Sequence, residues 1–280
     1  MTIITVPVRR PRPPGGTLCR MGELDGGPVS TEALQALALT GYGHFTTMRV
    51  QDGAVRGLSL HLARLARDCR AVFGTALDPE AVRERLRGAL AGRTGALVAR
   101  VTVFDPALGL AHPAAEARPR ILVTTREAPP LPPEPLRVTP VTYVRQCAAV
   151  KHTGLFESLY LRRRAQLDGW DDALFVSPGG EISEGATWNT GFWDGERLLW
   201  PAAEQLPGVT RELLAATELP QASRPLTLDQ LPGLQAAFAT NAAVGVRPLA
   251  AVGEVAFPAD HPVLARITAA YDRIAPEALR

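Results

Sequence analysis

Five prolines fall within the nine residues 127–135, "EAPPLPPEP", and no regular element can run through them. Each proline lacks the amide hydrogen that a sheet ladder or a helix interior needs, and each ring fixes φ. The segment therefore reads as an extended, semi-rigid connection between two domains. A chain of 280 residues admits one large domain or two smaller ones, with two favoured. The expected organisation is a loose, basic, proline-rich arm at 1–20, a small N-terminal domain at 21–126, the linker, and a larger domain at 136–280.

On the N-terminal side, "GHFTTMRVQDGAVRGL" reads as a hairpin turning at Asp52-Gly53. Ser59 is expected to cap a helix over "LHLARLARDCRAVF", which Gly74 ends. A second helix is expected from Pro79 to about Leu90, then strands over "ALVARVTVF" and "RILVTT". Beyond the linker, "LRVTPVTYV" is strand-like and Lys151 stands at or just before a helix. That helix puts Phe156, Tyr160 and Leu167 on one face, Leu155 and Leu159 on an adjoining strip, and closes at Gly169. "DALFVSPGGEISEG" reads as a hairpin with a type II turn at Pro178-Gly179. A further hairpin turns at Asp194-Gly195, "LPGVTRELLAA" opens a helix, "QAAFATNAA" is a strand running into a loop, and the C-terminus is helical.

The net charge of +2 and the scattered arginines give no reason to expect a nucleic-acid or membrane partner. The run Arg162–Arg164 reads as a solvated helix end. No apolar stretch approaches the ~18 residues of a membrane span, and the N-terminus lacks the continuous apolar core of a signal peptide. Cys19, Cys69 and Cys147 have no close pairing and are expected to be reduced thiols in a cytoplasmic protein. The five histidines, His44, His61, His112, His152 and His261, never reach metal-ligand spacing, so no metal site is expected. No nucleophile elbow, phosphate-cradling Gly-rich loop or dinucleotide fingerprint is present.

Of the 30 basic side chains, Lys151 is the one lysine. It is either a compositional survivor in an arginine-rich chain or the one amine that a reaction needs. A guanidinium with pKa above 12 cannot lose its proton near neutrality, whereas a desolvated lysine can, and can then form a Schiff base. Pyridoxal phosphate, the commonest cofactor held that way, also needs an acid beside its ring nitrogen and donors for its phosphate. Glu184, in "EISEGATWN", is a candidate acid. Gly208, Val209 and Thr210, at the start of the "PGVTRE" helix, are candidate phosphate donors, with Arg64 as a fixed cation. Trp188, between Glu184 and Asn189, is either a pocket wall or core packing.

In this order the pieces resemble the class IV aminotransferases, the fold-type IV pyridoxal-phosphate enzymes. That family includes branched-chain and D-amino-acid aminotransferases and aminodeoxychorismate lyase. The resemblance runs from about "GYGHFTTMRV" to "EVAF" and is most specific in "GGEISEGATWNTGFW" followed by "LPGVTRELL". It implies an α/β (α+β) fold of two domains, a small N-terminal α/β domain and a larger C-terminal one. Pyridoxal 5′-phosphate would lie between them, in a homodimer. By resemblance Lys151 is the Schiff-base and proton-transferring lysine, and Glu184 pairs with the ring nitrogen. Arg64, Gly208, Val209 and Thr210 hold the phosphate, the backbone at Thr240, Asn241 and Ala242 assists, and Asn189 belongs to the same cofactor-binding block.

The implied reaction moves an amino group between an amino acid and a 2-oxo acid. The first alternative is lysis of aminodeoxychorismate to 4-aminobenzoate and pyruvate, and the second is a cofactor-binding relative without catalysis. Tyr42, Thr47, His152 and Trp188 are the candidate substrate residues. The chain departs from the lyase pattern at "HTGLFE", where Gly154 and Leu155 replace two polar residues, and this argues against a doubly carboxylated substrate. Val103-Phe104 stands where the family has Arg-Gly, and Tyr42 stands where it has an aspartate.

Overall fold

Alternating side chains and tight turns divide the chain into two sheets. In the computed structural model, which describes residues 22–279, the first part contains β1 (Glu23–Leu24), β2 (Gly27–Pro28), α1 (Thr31–Thr40), β3 (His44–Gln51) and β4 (Ala54–Val55). It continues through α2 (Leu58–Phe73), α3 (Pro79–Ala89), β5 (Ala96–Phe104) and β6 (Arg120–Glu127). These strands form a seven-stranded antiparallel sheet in the order β16-β4-β3-β5-β6-β1-β2, where β16 (Glu277–Ala278) returns from the end of the chain. The arm at 1–20, with Cys19, lies outside the described residues.

Period-two alternation gives this sheet two different faces. Met48 and Val50 of β3, Leu97, Ala99, Val101 and Val103 of β5, and Ile121 and Val123 of β6 pack against α2 and α3. Phe45, Thr47, Arg100 and Arg126 therefore point the other way. The Asp52-Gly53 turn forms as expected, with φ of 48° and 75°, and Gly74 ends α2 in the left-handed region. Ser59 is not the cap of α2. The helix begins after Gly57 (φ 69°), and Ser59 lies inside it, where its N–H and hydroxyl both donate to the Glu277 carboxylate at 3.0 and 3.1 Å. A carboxylate from the far end of the chain thus supplies the acceptor that the local sequence lacks.

The second part contains β7 (Leu136–Thr142), α4 (Phe156–Leu167), β8 (Asp172–Val176), β9 (Ile182–Gly185), β10 (Asn189–Trp193) and β11 (Leu198–Pro201). Then follow α5 (Val209–Ala215), β12 (Gln221–Arg224), β13 (Ala236–Asn241), β14 (Gly245–Val252), β15 (Val255–Ala256) and α6 (Pro262–Asp272). Nine strands form a mixed sheet in the order β12-β11-β10-β13-β14-β7-β8-β9, with β15 paired to β14. An extra pairing of β9 with β10, Asn189 opposite Glu184, closes six of these strands into a ring. Leu174, Ile182, Phe192, Ala237 and Leu249 belong to one core of this sheet, and α5 and α6 pack on a second around Trp200 and Phe238.

Two local expectations differ from the structure. In the β8–β9 turn the positive φ falls on Gly180 (84°), not on Gly179, so the turn is not type II. Gly180 N–H donates to Ser177 O, and Ser177 N–H to Glu181 O. A left-handed residue after the turn matches the right-handed twist of the strands better than a type II corner does. On α4 the residues buried against the sheet are Ser158 and Ala165, while Phe156, Leu159, Tyr160 and Leu167 are exposed. The apolar stripe read from the sequence faces outward. Among the described residues no helix is long and apolar enough to cross a membrane.

Candidate active site

Residues from both sheets line a cavity of about 320 Å³. The outward face of the first sheet contributes Phe45, Thr47, Arg100 and Arg126. The second sheet and its connections contribute Lys151, His152, Glu184, Trp188, Asn189, Gly208, Val209, Thr210 and the stretch Thr240–Ala243. Arg64 reaches in from α2.

Lys151 lies in the irregular segment before α4, and its main chain is fixed from both directions. Its N–H donates to Asp68 Oδ2 of α2 at 3.0 Å, and its carbonyl accepts from Phe45 N–H of β3 at 2.9 Å. Asp68 is itself buried and takes two hydrogen bonds from Arg67, which also donates to Ala149 O. The ammonium sits 4.9 Å from the centre of the Phe45 ring. Burial first, and then the Arg64 guanidinium, push it down to about 7 from the usual 10.5, against the opposing pull of Glu184. At neutral pH much of this amine carries no proton.

Glu184 stands on β9 and is nearly buried. Its Oε1 accepts from Arg145 Nε at 2.9 Å and its Oε2 from Leu206 N–H at 3.2 Å. Burial raises its pKa while Arg145 works against that shift. Arg145 also donates to Val150 O and Ala148 O, which ties the carboxylate to the turn that precedes Lys151. Arg145 was not singled out by sequence reasoning, since nothing in "TYVRQC" separates it from the other arginines.

At the far end of the cavity, Arg64 is 6% exposed, and burial lowers it to about 10. It donates to Thr46 Oγ1 at 2.6 Å and to Pro207 O at 3.3 Å, and its Nε has no partner. The same Thr46 hydroxyl is hydrogen-bonded to His61 Nδ1, 2.7 Å away. Burial drives the His61 pKa well below 6.5, so its imidazole is neutral. Thr210 Oγ1 is likewise buried without a hydrogen bond of normal geometry. Two donors facing one cavity with capacity to spare suit an anion. Gly57 permits this approach, since a Cβ there would come within 2.9 Å of Val209.

Asn189 lines the cavity and braces its wall: its amide donates to Gln205 Oε1 at 3.0 Å and to Leu206 O at 2.9 Å. The loop so held carries the Leu206 N–H that serves Glu184. A Cβ at position 208 would lie 1.9 Å from Asn189 Oδ1. Gly208→Ala is therefore expected to displace Asn189 and the loop together. Overpacking of this kind costs about 1–3 kcal/mol, and the affinity for an anion at this end should drop about tenfold or more. Titration of the variant with inorganic phosphate checks this, and unchanged affinity would refute it. Asn241 folds its own loop by accepting from Ala243 and Val244 N–H, and Arg49 holds that loop through Ala242 O and Ala243 O.

Three of the four candidate substrate residues line the cavity: Thr47, His152 and Trp188. Tyr42, expected among them, does not: its hydroxyl donates to Val72 O at 2.8 Å and its ring meets Phe73 edge-on, outside this cavity. Trp188 is both wall and core. It is 5% exposed, its indole donates to Asp172 Oδ2 at 2.8 Å, and it stacks so close to Gly185 that a Cβ there would lie 2.0 Å from the ring. Asp172 is in turn held by both arms of Arg162. Val103 and Phe104 are buried in the core, while Leu155 lines the cavity. Phe45, Arg100, Arg126, Arg145 and Arg162 are among the lining residues that sequence reasoning missed.

The family model described as amino-transferase class IV matches residues 43–252. The 4-amino-4-deoxychorismate lyase of Pseudomonas aeruginosa is 25% identical, with a TM-score of 0.76 over 89% of this chain and 97% of that one. The branched-chain aminotransferase of Thermoproteus uzoniensis, solved with norvaline, is 22% identical, with a TM-score of 0.78 over 90% and 93%. The branched-chain amino acid aminotransferase of Escherichia coli is 19% identical, with a TM-score of 0.76 over 89% and 92%. With its fold-type IV architecture and a match over most of its length, this chain belongs to the class IV aminotransferases, a family of pyridoxal-phosphate enzymes.

Proposed function

We propose that the protein is a pyridoxal-phosphate-dependent aminotransferase that moves an amino group between an amino acid and a 2-oxo acid. The cofactor would lie in the cleft between an N-terminal domain at 21–126 and a C-terminal domain at 136–280, joined by 127–135. The observation that carries this reading is the placement of the one amine. Lys151 is half-buried in the cavity with its ammonium pushed down to about 7, between a fixed carboxylate and the Arg64 end, where a guanidinium N–H is unfilled.

The residues present fit the group. The spare hydrogen-bonding capacity of Arg64 Nε and Thr210 Oγ1 suits the phosphate, with the backbone around Gly208–Thr210 and Thr240–Ala242 alongside. Glu184, its pKa raised by burial, suits the ring nitrogen. When bound, pyridoxal phosphate supplies an electron sink for charge developing at the substrate carbon. Lys151 Nζ would be the group that takes a proton from that carbon and returns it two atoms away, across the amino nitrogen, a task for an amine poised near the working pH. The Phe45 ring covers one side of the amine. The expected homodimer is supported by the exposed apolar residues Phe156, Leu159, Tyr160 and Leu167 on α4.

The lyase reaction is the second reading. It is supported by the similarity to the Pseudomonas aeruginosa lyase, and pyruvate release from 4-amino-4-deoxychorismate without an amino acceptor would select it. A non-catalytic role is disfavoured, because binding alone does not require an amine so close to neutrality. The decisive experiment is incubation with pyridoxal phosphate, borohydride reduction and peptide mass mapping. A phosphopyridoxyl mass on the Lys151 peptide is expected, with labelling rising through pH about 7. A protein that stays unlabelled across that range would end the proposal.

A further inference from the structure

We propose that the protein carries a second ligand site, outside the first cavity, that takes an aromatic monocarboxylate and weakens anion binding at the Arg64 end. The site is a cavity of about 740 Å³, walled by β3, Arg56, the proline-rich linker, the start of β14, and α6. That volume falls in the range of small-molecule sites. Much of its wall is apolar: Leu131, Pro132 and Pro133 of the linker, Val246 of β14, and Leu264 and Tyr271 of α6. The flat faces of prolines and a tyrosine suit an aromatic ring.

The charged groups select the sign of the ligand. Among the described residues they are Arg49, Arg56, Asp260 and Asp272. Arg56 is taken up by the Asp272 carboxylate at 3.6 Å and by the carbonyls of Ile274 and Asp272 at 3.1 and 3.2 Å. Asp260 is exposed, where water and salt screen it. Arg49 is half-buried and makes no ion pair among the described residues. Its Nη1 donates to Pro129 O at 3.0 Å and to Ala243 O at 3.3 Å, while Nε and Nη2 have no hydrogen-bond partner among those residues. Nε and Nη2 form the edge that grips a carboxylate with both oxygens, the edge that Arg162 presents to Asp172.

Two connections join this site to the first cavity. Alternation along β3 sends Phe45 and Thr47 to the first cavity, and Arg49 and Gln51, next on the same face, to the second. Arg49 also holds the wall between them: its main-chain N–H donates to Ala242 O at 3.0 Å, and Ala242 lines both cavities. The Tyr271 ring lies on Gly245 (φ 74°), where a Cβ would come within 2.9 Å of it, and its hydroxyl faces Thr210 of the first cavity. A carboxylate on Arg49 draws the guanidinium off Ala243 O, and a ring against Tyr271 shifts its contact with Thr210. Both changes loosen the end of the first cavity where an anion is held.

Titration calorimetry of the full-length protein with phenylacetate, and with inorganic phosphate at rising phenylacetate, tests this. Phenylacetate is expected to weaken phosphate binding about fivefold or more, up to a plateau, and phosphate should weaken phenylacetate by the same factor. Ala265→Trp, at an exposed position that lines the second cavity, should abolish phenylacetate binding and leave phosphate affinity at the parent value. Arg49→Lys keeps the charge without the fork and should weaken phenylacetate about tenfold. Weakening of phosphate without a plateau would mean direct competition in the first cavity and would overturn the proposal. Phenylacetate still bound by Ala265→Trp, or phenethylamine bound as tightly as phenylacetate, would overturn it as well. The site does not rest on the amino-transfer reading. Coupling without labelling at Lys151 removes that reading alone, and labelling without coupling removes this one alone.

Discussion

Lys151→Met is expected to abolish amino transfer while making the folded protein more stable below neutral pH. The chain offers no second lysine, and its arginines cannot deprotonate in the working range. Loss of a residue that takes part in covalent chemistry costs on the order of four or more powers of ten in kcat. The stability effect has the opposite sign. The Lys151 pKa is about 7 in the folded chain against 10.5 for the free side chain. Between those values the unfolded chain holds a proton that the folded chain has released, so stability rises with pH through this window. Below about 7 both states are protonated and the full cost of burying the ammonium is present. Removing the charge should therefore stabilise most below pH 7, by on the order of a few kcal/mol, and stop helping above about 10.5. Urea denaturation of cofactor-free parent and variant at pH 6 and pH 9 measures this. A gap that does not shrink with pH would mean that the lysine is solvated.

Glu184→Ala should damage both folding and activity, for reasons that can be told apart. The Glu184 and Arg145 side chains are only 6% and 11% exposed, so removing one leaves the other charged and buried. Breaking such a pair from one side costs about 3–5 kcal/mol. Leu206 N–H loses its acceptor at the same time. Glu184→Gln keeps an acceptor in place and should fold better, yet still lack the charge that suits a ring nitrogen. In the double variant Glu184→Ala, Arg145→Ala most of the stability should return, because no unpaired ion remains, while activity should not. A double-mutant cycle on denaturation midpoints gives the coupling. Additive losses would mean that the ion pair is not the link between the β9 strand and the turn before Lys151.

Much of the site was legible because its signals are local. β3, β5 and β6 announce themselves by period-two alternation, and the β8–β9 hairpin carries Glu184 at a fixed register from its turn. Lys151 stood out by composition alone. The helix start at Gly208 was readable from "PGVT", and α5 begins there. Other features failed where a partner lies far along the chain. The acceptor for Ser59 is Glu277, supplied by a strand that the C-terminus adds to the first sheet. The place of Tyr42 in "GYG" points to the substrate pocket, but its hydroxyl is satisfied by Val72 O at the end of α2. The apolar strip of α4 has helical period, yet period does not say which face meets the sheet.

By itself, then, the sequence determined the kind of chemistry available: one deprotonatable amine, a carboxylate on a rigid strand, and a glycine that leaves room at a helix start. Those follow from residue type and from spacing over a few positions. Only the tertiary structure decided which of the 29 arginines act at the site and on what. Arg145 meets Glu184 across 39 positions, and Asp68 holds the Lys151 backbone across 83. Arg100 and Arg126 share a face only because β5 and β6 pair in one register. Coulomb and hydrogen-bond energies depend on separation in space and on lost water, and neither is written in the order of residues.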